Sequence, residues 1–116
     1  MDSIILNDVK NLLGIPADYL EFDNSILMYI NSAFAGLYQM GIGSKSSFIA
    51  NSTTKWSEFT ENALAIPFLQ TYMYCKVRLI FDPPNNNAYT ESIKKVMEEN
   101  EYRLRTLVDW GGTDAI

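Results

Sequence analysis

Apolar positions along this chain fall into four periodic stretches, each closed by glycine, proline or asparagine. The first runs from Ser3 to Leu13, with Ile5, Val9, Leu12 and Leu13 at helical spacing on one face. Ser3 is the expected N-cap and Gly14 the left-handed residue after the helix end. Ile15-Pro16 then blocks continuation, because proline lacks the backbone donor and restricts the residue before it. A second helix is predicted from Asp23 or Asn24 to about Met40, with Asp23 as cap. Its wide stripe holds Ile26, Ile30, Ala33, Phe34, Leu37 and Tyr38, broadened by Met28 and Tyr29, and Gly41-Ile42-Gly43 ends it.

Residues 44–62 carry no sustained period. Ser46–Ala50 reads as a short extended piece and Trp56–Phe59 as a single helical turn, and the Ser/Asn/Thr stretch near 44–55 has the composition of a mobile loop. A third long helix is predicted from near Pro67, which a first turn tolerates, to Phe81. Phe68, Leu69, Tyr72, Met73, Val77, Leu79 and Ile80 are expected inward, and apolar residues nearly surround this segment. It should therefore be the central helix of a bundle.

Asp82-Pro83-Pro84 stops that helix, and Asn86 or Asn87 opens a fourth that continues to about Val108. Ile93, Met97, Asn100, Leu104 and Leu107 recur at spacings of 4, 3, 4 and 3, a narrow heptad-like seam. Glu91/Lys95, Glu99/Arg103 and Glu101/Arg105 are acid-first i,i+4 pairs on a solvated face. The prolines thus lock two helices into an antiparallel hairpin. The expected fold class is all-α, a small antiparallel bundle of four main helices forming one domain over residues 1–116, with 109–116 as a flexible tail.

Composition narrows what such a bundle does. At 116 residues the chain can bury about two-thirds of its unfolded surface, enough for a core without staples. Its net charge of −5 disfavours a protein that grips DNA phosphates. The absence of histidine removes Ser-His-Asp and Cys-His nucleophiles and histidine-bearing zinc signatures, and the single Cys75 leaves neither a cysteine zinc site nor an internal disulfide. Glu98, Glu99 and Glu101 adjoin bases on one helix and do not form a separated catalytic pair. Gly41–Ser46 echoes a phosphate loop, but no glycine precedes Lys45 and the stretch closes a helix instead of opening one. No enzyme activity, metal or cofactor is expected. The start Met1-Asp2-Ser3 lacks the basic region of a signal peptide, and no apolar run reaches membrane-spanning length, so a soluble cytoplasmic protein is expected.

Asn11-Leu12-Leu13-Gly14-Ile15, the acidic stretch Asp18–Asp23, Ile30-Asn31-Ser32-Ala33 and Gly41-Ile42-Gly43 together resemble the N-terminal half of a known family. The run Lys76-Val77-Arg78-Leu79-Ile80-Phe81-Asp82-Pro83-Pro84, followed by a charged helix, resembles its C-terminal half more closely. The family is the head-to-tail connector (head completion or adaptor) proteins of long-tailed bacteriophages and prophages, also described as phage DNA-packaging proteins. The resemblance implies a ring of about a dozen copies beneath the portal protein. Such a ring sits at the virion neck after assembly in the host bacterial cytoplasm, extends the DNA channel, and offers a platform to the next neck or tail protein. DNA would pass through only as cargo, and an acidic wall suits that passage.

On that reading Asp109, Trp110 and Ile116 are the expected portal-docking residues. Tyr89, Asn100 and Arg103 are expected to face a neighbouring subunit, and Phe48, Ile49 and Trp56 the next neck protein. The competing reading is a small helical regulatory or adaptor module that binds a single protein partner through Trp110 or the fourth-helix seam.

Overall fold

The computed structural model describes residues 3–43, 48–111 and 116. Helix α1 spans Ile5–Leu12, α2 Asp23–Gln39, α3 Trp56–Phe59, α4 Ala65–Phe81 and α5 Asn87–Gly111. No strand forms among the described residues; one antiparallel bridge joins Ile4 to Lys55. The all-α expectation holds, and Trp56–Phe59 is the single turn the sequence pattern predicts.

Helix α4 is the central element: α1, α2 and α5 all pack on it, while α5 packs chiefly on α4 alone. Ala65, Leu69, Tyr72, Met73, Cys75 and Val77 are buried along α4. Ile80, expected inward, is 48% exposed. Burial raises the Cys75 thiol above its ordinary value of 9.0. Burial first, and then the Glu101 carboxylate, raises the Tyr72 phenol.

Two expected caps are absent. The N-cap position of α1 is Ile4, and the Ser3 hydroxyl instead donates to the Asp8 carboxylate. Phe22 occupies the N-cap of α2, so Asp23 is its first helical residue, still at the positive end of the dipole. The α1 face also shifts by one residue. Ile5, Leu6 and Val9 are buried with Lys10, whereas Leu12 is 50% exposed. On α2, Met28 and Tyr38 likewise face outward.

The corner between α4 and α5 follows the sequence reading closely. Arg78 donates from Nε to the Asp82 carbonyl at 2.6 Å, tying down the last turn of α4. Asn86 then caps α5, its Oδ1 accepting from the backbone N–H groups of Ala88 (2.7 Å) and Tyr89 (3.2 Å).

Gly14, Gly41 and Gly43 all have positive φ, as helix-terminating glycines require. Gly43 (φ +96°) has a second constraint: a Cβ there would lie 2.7 Å from Cζ of Phe59. That ring belongs to a cluster with Phe34 and Phe48, at centroid distances of 4.6 and 5.1 Å. Gly43→Ala is therefore expected to cost about 1–2 kcal/mol more than Gly41→Ala, whose Cβ would meet open space. Paired thermal melts measure this; equal losses would show that the ring moves aside freely.

Candidate interaction surface

The irregular region is held by specific polar contacts. Asn31 on α2 accepts from the Ala50 N–H at 2.7 Å and donates to the Ala50 carbonyl at 3.1 Å, pinning the loop to the helix by two bonds. The Asn51 carboxamide oxygen accepts from the Thr53 N–H and hydroxyl and from the Thr54 hydroxyl, which forms a compact Asx-type turn. The expected extended piece over Ser46–Ala50 lies partly outside the described residues, and its described part forms no named strand.

Trp56 follows that turn and is fully buried. Its Nε1 donates to Asp8 Oδ2 at 2.8 Å, the oxygen that also accepts from Ser3. Its position as an exposed partner residue is thereby corrected, because an indole with its N–H satisfied inside the chain is core. Phe48 is half-buried against Phe34 and Phe59. Ile49 alone of the three loop residues stands out, at 73% exposed.

Two further positions change. Asn100 is 9% exposed and donates to the Val96 carbonyl of its own helix at 2.8 Å. It sits in the seam between α5 and α4, closed to a neighbouring subunit by its own chain. Ile116 is 4% exposed within the core cluster, so its apolar side chain is unavailable for docking. Helix α5 continues past the expected end at Val108 to Gly111, which places Asp109 and Trp110 on its last turn.

The remaining positions come together on α5. Tyr89, Val96, Arg103 and Trp110 recur at intervals of seven residues. Their exposures are 67%, 44% and 82% for Tyr89, Val96 and Trp110, and Arg103 is also exposed. At 1.5 Å per residue this flank extends about 31 Å along the helix, roughly a quarter turn away from the buried seam. The heptad interval drifts only about 20° per repeat on a 3.6-residue helix, so the four remain on one side. Single exposed apolar residues are ordinary; a periodic row of them is the signature of a packing face without a partner.

The charged face is separate. Lys94 pairs with Glu91 at 3.4 Å and Arg105 with Glu101 at 3.8 Å. The expected Glu91–Lys95 pairing gives way to the i,i+3 neighbour, and Arg103 has no acid within 4.0 Å among the described residues. Exposed pairs of this kind contribute little to stability.

A separate recess involves none of the α5 residues. Between α1 and the start of α4 a half-open groove of about 520 Å³ is lined by Asp8, Leu12, Trp56, Ile66, Pro67 and Gln70, among others. Among the described residues no cluster of three His, Cys, Asp or Glu could hold a metal, and no helix is long and apolar enough to cross a membrane.

A proline-locked helical hairpin with an unpartnered flank defines a protein whose surfaces are built for packing against other protein. The family model described as "Phage connector protein" matches residues 5–109, and the chain belongs to that family. No curated protein and no solved structure matches it. Membership gives the chain a structural connector role among phage head and tail proteins.

Proposed function

We propose that this chain docks as a closed ring of about a dozen copies beneath the portal, extends the DNA channel, and presents a platform to the next neck or tail protein. The observation that carries the reading is the connector match over residues 5–109, nearly the whole chain. The physical features agree with it. A hairpin held by Pro83, Pro84 and the Asn86 cap fixes the angle between its two helices, and ring closure needs a constant angle between copies. A net charge of −5 lets DNA slide past without adhesion. Asp109, exposed on the last turn of α5, is the portal-facing candidate, and Ile49 is the candidate for the downstream neck protein.

The test is to mix the purified chain with portal rings from its own phage and image them. Added density of portal symmetry below the ring is expected. Portal rings that remain bare at high concentrations of chain would count against the proposal. A discrete one-to-one complex with some other single protein would instead favour a regulatory module.

A further inference from the structure

The two unpartnered surfaces are carried by different elements: the flank belongs to α5, and the groove lies between α1 and α4. A contact between two different faces of one chain is heterologous, the kind that repeats from copy to copy and can close into a ring. The two faces are also complementary in chemistry. The groove is lined by the apolar side chains of Leu12, Ile66 and Pro67 and by the Asp8 carboxylate, one turn before Leu12 on α1. Asp8 Oδ2 is occupied by Ser3 and Trp56, while Oδ1 has no hydrogen-bond donor among the described residues. The flank offers an exposed indole, Trp110, and a cation, Arg103, with no acidic partner among the described residues.

We propose that the Arg103–Trp110 end of α5 in one copy seats in the α1–α4 groove of the next. Trp110 packs on the wall of Leu12, Ile66 and Pro67, and the Arg103 guanidinium meets Asp8 Oδ1. The two side chains are two turns apart, about 10.5 Å along the helix, so one end of α5 presents both at once. A buried aromatic beside a desolvated charge pair is the usual anchor of a protein interface. The same contact gives Arg103 the acid it lacks among the described residues of its own chain. This assignment rests on the ring arrangement proposed above.

Single-cysteine contacts test it. One preparation of the full chain carries Leu12→Cys, the other Trp110→Cys; both positions are exposed, so melting temperatures should stay within a few degrees of the unmodified chain. Cys75, buried, stays out of the reaction, and oxidising the unmodified chain serves as the control. On mixing and mild oxidation, the mixed disulfide is expected to exceed either homodimer about tenfold. Adding Arg103→Glu to the Trp110→Cys copy should lower its yield by about the same factor, through repulsion from Asp8. Dominant Trp110→Cys homodimers would overturn the assignment in favour of a two-fold contact, and so would the absence of any disulfide between copies. Neither result touches portal docking: density beneath the portal without the mixed disulfide removes this contact and leaves the connector ring, whereas the mixed disulfide with bare portals does the reverse.

Discussion

Replacing Trp56 by alanine is expected to remove about 3–5 kcal/mol of stability. The indole is 0% exposed and fills the junction of α1, α3 and the start of α4. Its removal leaves a cavity that the surrounding helices can close only in part. It also deprives Asp8 Oδ2 of the donor at 2.8 Å, leaving Ser3 as its sole partner among the described residues. With a domain of this size melting about 4 °C lower per kcal/mol, the transition should fall by about 12–20 °C. Trp56→Phe separates the two contributions. It retains most of the volume and loses the N–H, so a loss of about 1–2 kcal/mol is expected. Circular-dichroism melts and urea midpoints at constant slope measure both. A Trp56→Ala chain within 3 °C of the parent would show that the α1–α3 junction is not part of the cooperative core.

The second large effect is expected at Lys10. Its ammonium is 1% exposed, lies 2.7 Å from Asp23 Oδ1, and donates to the carbonyls of Ala17 (3.1 Å) and Tyr19 (2.7 Å). Two protons thus hold the 13–22 connection, and the charge faces the first residue of α2. The Asp23 contact is an ion pair more than a well-aligned hydrogen bond, and among the described residues it is the one partner of a buried carboxylate oxygen. Lys10→Met leaves Asp23 without a counter-charge and two carbonyls without donors, at a cost of about 2–4 kcal/mol and about 8–16 °C. Asp23→Leu added to Lys10→Met should recover part of that loss, because the stranded carboxylate is gone. A coupling of about 1–3 kcal/mol is expected from the double-mutant cycle. Strict additivity of the two substitutions would mean that the ammonium acts on the carbonyls alone.

These two residues mark where the sequence pattern ceases to be informative. The four long helices are legible because each carries enough apolar residues at helical spacing to define a face, and because Gly14, Gly41, Gly43 and Asn86 mark their ends by local backbone chemistry. Lys10 is different. Lysine is ordinarily solvated, and its burial comes from the return of residues 17–23 across α1, a tertiary event with no local sign beyond its place four residues after Leu6 on the buried face. Trp56 lies in a four-residue helix, too short for any period, so its aromatic character could be read either as core or as contact. Asn31 gave no signal at all, since its two bonds reach nineteen residues along the chain. On α5 the error was of another kind. The seam Ile93–Leu107 carries the apolar signal, and Asn100 interrupts it in a way that points toward a neighbour, although its own helix supplies the acceptor. The flank of Tyr89, Val96, Arg103 and Trp110 has an equally regular interval in the sequence, hidden because a valine and an arginine break its aromatic character.

The physical picture is of a building block whose value lies in a fixed shape repeated around an axis. The ratio of this chain to portal subunits in purified, DNA-filled particles, by quantitative mass spectrometry with isotope-labelled peptides, tests that picture at its root. A ratio close to one copy per portal subunit, unchanged in tailed and tailless particles that retain their DNA, is expected. Absence from particles, or a trace amount far below the portal, would contradict it.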